Sequence, residues 1–472
     1  MLRQHSGCLT LQPQSIQPNS TDTAMSQRRY FRALLGSAIA GSMLASIPAT
    51  EAASSDRRQV ASGNQQQLLA QAKGKLETKS IKLGYIPILE SAPLIIAKEK
   101  GFCAQQGLTD MEVAKQASWP AARDNVVIGS GGGGIDGGQW QLPMPQMLSE
   151  GAISNGKKVP MFILAQLSSQ GNGIAASNTV KGAELGLNLK GDRNFFKEYE
   201  KKNGREFRAA YTFPKANQEF WIRYWLAAGG VDPDKEVSLL TVPAAETVAG
   251  MRNGTMDLFS TGDPWPARVV NDNLGYMAAT TAAMWPVHPE EFLAVRADWV
   301  KKNPKASVAL VKCVIQAQRW LDNPANKDDA AQILSSRNYF NVKKSLIEQS
   351  LKGGFKIGVK KERETNPAKA PLFWSSSRGV ISYPYKSLTK WFLVESLRWK
   401  FYPNAIRNLK DVERINNATV RADIWTQAAK ELGVPAKDIP KGDSRGKERF
   451  FDGVVYDPAN PQAYLKSLKI KR

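Results

Sequence analysis

Cysteine and histidine are the scarcest reactive side chains in this chain of 472 residues. The three cysteines, Cys8, Cys103 and Cys313, stand at long, irregular spacings, which predicts neither a disulfide framework nor a Cys-rich zinc site. The two histidines, His5 and His288, are too few for a two-histidine metal site, and a Ser-His-Asp triad would have to use His288. No apolar run reaches the ~20 residues that cross a bilayer; the longest, residues 33–49, is broken by Gly36, Gly41, Ser42 and Ser46. Acidic residues are also short, with 43 Asp+Glu against 64 Lys+Arg and a net charge of +21. That surplus favours anionic partners but does not choose among nucleic acid, anionic lipid and a small anion. With 42% hydrophobic and 23% charged residues, the composition is globular, and the length calls for two or three lobes.

The segment Ser26-Gln27-Arg28-Arg29-Tyr30-Phe31-Arg32, followed by the weakly apolar run and Thr50-Glu51-Ala52, reads as an export signal of the twin-arginine type. The alternative is the basic start of an ordinary secretory signal, and both readings take the mature protein to the periplasm. Residues 1–24 are polar and aperiodic, so Met25 is a second candidate start. Residues 1–52 carry a surplus of two positive charges, so their removal leaves +19 on the mature chain. No cysteine lies near the cleavage region, which predicts no lipid anchor; residues 53–78 read as a polar linker.

Beyond residue 79 the pattern alternates. Strand-like runs at 81–85, 111–116, 126–128, 159–167, 208–213, 237–242, 257–260 and 275–280 are interleaved with helical stretches at 92–102, 218–228 and 244–252. This predicts α/β lobes on largely parallel sheets. After Phe292 the chain turns helical, most clearly at 306–321 and 388–399. The stretch from Gln218 carries Phe220, Trp221, Tyr224, Trp225 and Ala228 on one stripe, a core-facing pattern. Thr212, Asn217 and Gln218 precede or open that helix, where free backbone N–H groups favour a small anion; simple N-capping by Asn217 is the competing reading.

Three other motifs weaken on inspection. Gly132-x-Gly134-x-x-Gly137 satisfies a dinucleotide fingerprint formally, but Pro143 and Pro145 interrupt the helix that should follow and no acid stands ~20 residues on. The glycine run then means a close backbone approach or a tight turn, and no Lys-Ser/Thr follows to make it a phosphate loop. Lys and Arg are spread along the chain without a nucleic-acid-binding module. An enzyme would need His288, Glu290 and Glu291 with one of Ser375–Ser377, and no Gly-x-Ser-x-Gly elbow is present.

Longer runs are more specific. Leu83-Gly84-Tyr85, residues 92–102 (Ala-Pro-Leu-Ile-Ile-Ala-Lys-Glu-Lys-Gly-Phe), Gly134-Ile135-Asp136-Gly137, residues 221–230, Asp263-Pro264-Trp265-Pro266, His288-Pro289-Glu290, residues 296–304 and Tyr383-Pro384-Tyr385-Lys386 together resemble the nitrate- and bicarbonate-binding subunits of cyanobacterial-type ABC importers. The resemblance covers about residues 80–400 and implies a two-lobed periplasmic-binding-protein (type II) fold that closes on an anion. It implies lobe 1 from residues 79–170 and 292–472, including a C-terminal helical extension, and lobe 2 from 171–291. It also implies a binding protein rather than an enzyme, with permease and ATPase subunits as partners and no nucleic acid. The family's lipid-anchor cysteine is missing, so the alternatives are free diffusion in the periplasm and peripheral membrane association through the basic charge alone.

Carried over position by position, the resemblance puts Trp119, Asn172 within Gly171-Asn172-Gly173, Thr212, Gln218 and Glu291 in the cleft, with Glu290 as the competing alignment for Glu291. In nitrate binders the last two positions are His and Lys. Nitrate only accepts hydrogen bonds, so a cleft carboxylate repels it, whereas the O–H of bicarbonate can be accepted by one. Gln139-Trp140-Gln141-Leu142-Pro143-Met144-Pro145 also resembles the bicarbonate branch, adding Gln139 to the expected ligand set. Two negative groups in one cleft need compensation, and calcium suits oxygen ligands such as Glu291 and Glu290. Bicarbonate is therefore the expected ligand; nitrate or nitrite, and an exported sensor or enzyme on the same fold, are the alternatives.

Overall fold

The computed structural model describes residues 75–189, 193–360 and 364–472. The segment read as an export signal, and linker residues 53–74, lie outside the described residues. By Glu77 the chain is already engaged, its carboxylate accepting the backbone N–H groups of Lys305 and Ala306 at 3.2 and 3.1 Å. Those are orphan donors in the first turn of a helix, where negative charge also suits the dipole.

Two five-stranded sheets organise the chain. The first lobe is built on β1 (Ser80–Tyr85), β2 (Asp110–Lys115), β3 (Gly137–Gln141), β4 (Met161–Gln166) and, from much later in the chain, β10 (Glu291–Arg296), in the order β2-β1-β3-β10-β4. The second is built on β5 (Asn172–Ser177), β6 (Arg208–Tyr211), β7 (Ser238–Thr241), β8 (Leu258–Gly262) and β9 (Gly275–Thr280), in the order β7-β6-β8-β5-β9. The helices that position the site are α1 (Ala92–Glu99), α2 (Phe102–Gln105), α3 (Trp119–Ile128), α4 (Asn217–Ala228), α5 (Pro304–Asp322) and α6 (Lys386–Arg398).

The sheets are mixed, which corrects the expectation of largely parallel ones. In the first, β1 pairs parallel with β2 and β3, but β10 runs antiparallel to both β3 and β4. In the second, β6 pairs parallel with β7 and β8, but β5 runs antiparallel to β8 and β9. The reason is topological. β5 and β10 are the strands the chain enters after crossing from the other lobe, by residues 167–171 and 281–290, so neither is the product of a right-handed β-α-β step.

Residues 126–128 belong to the last turn of α3 and are not a strand. The β-branched pair Val126-Val127 suggested extended chain, but Ser118 accepts from Ala121 N–H at 3.3 Å and Pro120 lies in the first turn, which are helix-start signals. The glycine run ends in β3, where a Cβ on Gly138 would lie 2.1 Å from the Gly84 carbonyl oxygen. Only glycine lets β3 approach β1 so closely.

The cysteine reading is also corrected. Cys103 on α2 and Cys313 on α5 form a disulfide, with Cα atoms 4.8 Å apart and a sequence separation of 210. Packing of α2 and α1 against α5 brings them together, a juxtaposition that spacing alone does not reveal.

A cluster of aromatics lies behind α4. Trp221 stacks on Trp391 of α6 with centroids 5.4 Å apart, and Trp285 and Phe450 close around Trp391. Trp391 donates to the Tyr464 hydroxyl at 3.1 Å, which in turn donates to Glu395 at 2.7 Å. The C-terminal residues thus brace the helix that carries much of the site, with buried aromatic area supplying the stabilisation and hydrogen bonds fixing the geometry.

Candidate functional site

The two crossing segments and the C-terminal end of β3 meet at the junction of the lobes, and their polar side chains are buried there. Strand alternation puts Gln139 and Gln141 on one face of β3 and Trp140 on the other. Gln139 donates its amide N–H to Glu291, at the start of β10, and accepts from Ile86 N–H at 2.9 Å. Gln141 reaches across to the second lobe, donating to the Thr212 hydroxyl at 2.8 Å and to the Gln218 carbonyl oxygen. Thr212 also donates to Gln218.

Glu290 sits on the crossing segment just before β10. Its carboxylate accepts from Trp221 Nε1 at 2.9 Å, Asn217 Nδ2 at 2.9 Å and Asn172 Nδ2. Asn217 also donates to the Glu290 backbone carbonyl and accepts from Leu142 N–H at 2.9 Å. It is the first helical residue rather than the cap, a position held by Ala216. The N-capping alternative is thereby replaced: the Asn217 amide is taken by the first lobe and by Glu290.

Of the residues expected in the site, the structure joins Gln139 with Glu291, Thr212 with Gln218, and Asn172 with Glu290. Trp119 stands apart from these hydrogen bonds. Its ring packs on Trp140, centroids 6.4 Å apart, and its indole N–H is buried without a partner. Three participants had not been singled out for the site: Gln141, Trp221 and Glu90. Trp221 was read as core, and it is both, with its ring stacked in the aromatic cluster and its N–H on Glu290. Glu90 follows Leu89 in a short 3₁₀ turn ahead of α1 and accepts from Asn172 Nδ2 at 3.0 Å. Its signal in the sequence was a lone acid inside the apolar run 86–97.

The electrostatics are unusual for a protein of this net charge. Glu90, Glu290 and Glu291 are all fully buried, and no ion pair reaches them among the described residues. Burial raises the Glu90 carboxyl well above the ordinary range, and the charges of Glu290 and Glu291 raise it further. Burial and the Glu290 charge likewise raise Glu291, opposed by the hydrogen bond from Gln139 and the nearby Gln218 amide. Burial raises Glu290 too, opposed by Asn217 and Trp221. Several polar atoms of the cluster have no partner: Glu90 Oε2, Glu291 Oε1, Gln141 Oε1, Gln218 Nε2 and Asn172 Oδ1. Buried donors and acceptors left open at one junction are what a small polar ligand would satisfy.

Acyl transfer does not fit. The His288 ring nitrogens are engaged by the Pro289 carbonyl at 3.0 Å and the Thr281 hydroxyl at 2.8 Å, leaving neither for a serine nucleophile. Burial pushes the imidazole down to about 3, so it stays neutral.

Two α/β lobes joined by two crossing strands, with the open polar groups at their junction, define the periplasmic-binding-protein class. The chain belongs to the NMT1-like family, which it matches over residues 74–335. It is 60% identical over 397 residues to the bicarbonate-binding protein CmpA of Synechococcus elongatus, covering 84% of this chain and 88% of that protein. It is 43% identical to the nitrate/nitrite binding protein NrtA of Synechocystis, covering 85% of this chain and 88% of NrtA. The crystal structure of that periplasmic nitrate-binding protein superposes with a TM-score of 0.80 over 84% of this chain and all of the other. The bicarbonate transport ATP-binding protein CmpC of Synechococcus elongatus is 29% identical over 410 residues, 87% of this chain and 58% of CmpC. No helix among the described residues is long and apolar enough to cross a membrane.

Proposed function

We propose that this protein is the periplasmic solute-binding subunit of an ABC importer and captures bicarbonate. It binds and releases its ligand without turnover, and its partners are the permease and ATPase subunits of the same importer. The observation that carries the ligand choice is Glu291, buried at the lobe junction with Oε1 unpartnered and its other oxygen on Gln139. A pure acceptor such as nitrate meets repulsion there, whereas the hydroxyl of bicarbonate supplies a donor and one of its remaining oxygens takes the free Gln218 Nε2. Identity of 60% to CmpA against 43% to NrtA supports the same branch.

Calcium belongs to the same reading. Unpartnered buried carboxylate oxygens without a neighbouring cation fit a hard divalent ion. Among the described residues no three His, Cys, Asp or Glu side chains form a ready metal cage, so amide oxygens and the anion itself would complete the coordination. Glu291 and Glu290 are the proposed protein ligands, Glu291 through its open Oε1 and Glu290 only by giving up a hydrogen bond from Trp221, Asn217 or Asn172, and the ion would supply the positive charge that lets bicarbonate sit beside them. Export by the twin-arginine route rests on Arg28-Arg29 and the run that follows.

Calorimetric titration of the mature chain with bicarbonate, with and without calcium, and then with nitrate, tests the proposal. Stoichiometric bicarbonate binding that weakens with chelator is the expected result. Nitrate binding in the absence of calcium, with no heat from bicarbonate, overturns it.

A further inference from the structure

The segment 86–91 of the first lobe lies directly against the second lobe. Leu89 N–H donates to the Asp263 carbonyl at 2.8 Å, and the Trp265 indole donates to the Pro87 carbonyl at 3.0 Å. Between them Glu90, 1% exposed, reaches Asn172 at the start of β5. Asn172 Nδ2 donates to Glu90 and Glu290 together, so one amide holds a carboxyl from the first lobe against one from the crossing segment. The same segment is tied to the other glutamate through Ile86 N–H, Gln139 and Glu291.

The seat for Glu90 is shaped by what is missing opposite it. A Cβ on Gly262, at the end of β8, would lie 2.4 Å from Glu90 Oε2 and 2.5 Å from Oε1. Any other residue there would force the Glu90 carboxyl to shift from this position. The seat is tight, yet Glu90 Oε2 has no partner. A buried carboxyl held by one amide, near the carboxyls of Glu290, Glu291 and Asp263, is costly unless something else compensates it.

We infer that Glu90 is the closure latch of the protein: a positioning residue that bridges the lobes onto Asn172 and Gly262 and makes closure depend on a compensating ligand in the junction. This rests on the reading of the junction as the ligand site. With the lobes apart, Glu90 is free to hydrate. Closing them brings a third carboxyl up to Glu290 and Glu291, and like charges in a low-dielectric junction oppose that step. A ligand that supplies a hydrogen-bond donor or a cation removes the opposition, and the Asn172, Leu89 and Trp265 hydrogen bonds then hold the closed form. Ligand occupancy shifts an equilibrium already present in the fold.

The test uses small-angle X-ray scattering of the mature chain, without ligand and saturated with bicarbonate and calcium, for the wild type and Glu90→Gln. Glutamine keeps the acceptor for Asn172 and removes the charge. The expected result is that ligand-free E90Q is already more compact than the ligand-free wild type, with its ligand-induced contraction reduced at least twofold. Identical ligand-free dimensions of the two proteins overturn the latch. That comparison needs no ligand, so it stands even if the wild type gives no bicarbonate signal, an outcome that would instead sink the proposed ligand. Gly262→Ala provides the opposite perturbation, with folding checked by circular dichroism. It is expected to keep the open dimensions at ligand concentrations that close the wild type and to weaken binding at least tenfold; wild-type contraction in G262A also overturns the inference.

Discussion

The Trp221 indole nitrogen lies 2.9 Å from Glu290 Oε1 and donates to it, so the residue that anchors the aromatic cluster also holds a buried carboxyl of the site. Structure and recognition therefore meet on one ring. In Trp221→Phe the stack on Trp391 is largely kept while the donor is lost, leaving Glu290 with Asn217 and Asn172 alone. Losing a hydrogen bond to a buried group costs about 1–3 kcal/mol. Urea unfolding of W221F should show that loss, accompanied by weaker ligand binding. Stability and affinity equal to wild type would mean that Glu290 is satisfied without Trp221.

Glu291 decides between acceptor-only and donor-bearing anions. Glu291→Lys breaks the Gln139 contact and places a cation where the resemblance implies that nitrate binders carry one. Bicarbonate affinity should fall at least tenfold, about 1.4 kcal/mol, while nitrate binding appears. Competition calorimetry with the two anions reads both changes in one experiment. Retention of the wild-type preference would remove Glu291 from the site.

The Cys103–Cys313 bridge ties α2 to α5 in the first lobe across 210 residues of sequence. A link that closes so long a loop restricts the unfolded chain, and loss of a native disulfide typically costs about 2–5 kcal/mol. The double variant Cys103→Ser/Cys313→Ser should unfold at lower denaturant than wild type while its ligand affinity stays within about twofold, since neither cysteine touches the junction. Reaction of both thiols with a maleimide in the untreated, denatured wild type would show that the bridge is not formed.

Local signals carried much of this fold. β9 and α4 were legible because each has its own periodicity: α4 has a stripe of aromatics, and residues 275–280 form a short apolar run between turn residues. The antiparallel placement of β5 and β10 was not legible, because their neighbours lie far away in sequence and the pairing is set by where the chain crosses between lobes. Residues 126–128 misled because β-branched side chains favour extended chain, and the capping at Ser118 overrode that preference. In the candidate site, the alignment of family-like runs pointed to Gln139, Asn172, Thr212, Gln218 and the two adjacent glutamates, which the structure gathers at the junction in hydrogen-bonded pairs. It passed over Glu90, which reaches the junction only because Gly262, 172 positions further along, leaves room for it.

Asp257 gives a pH prediction away from the ligand site. It lies just ahead of β8, where its carboxylate accepts from Arg205 at 2.6 and 2.9 Å, Tyr199 at 2.8 Å and Arg208 N–H at 2.9 Å, tying together the starts of the inner strands β6 and β8. Burial pushes this carboxyl up, but the Arg205, Arg208 and Tyr199 hydrogen bonds outweigh it and hold it below its ordinary value of 3.8. A carboxyl depressed in the folded state contributes stability that is fully present above its unfolded value and is lost as pH falls through the folded one. Asp257→Asn should therefore be less stable than wild type at neutral pH by about 1.5–3 kcal/mol, and the gap should narrow as pH drops below 3.8. Chemical unfolding of both proteins from pH 7 to pH 3 measures the gap directly. A gap that stays constant over that range would show that the Asp257 charge contributes nothing and that only its hydrogen-bonded shape matters.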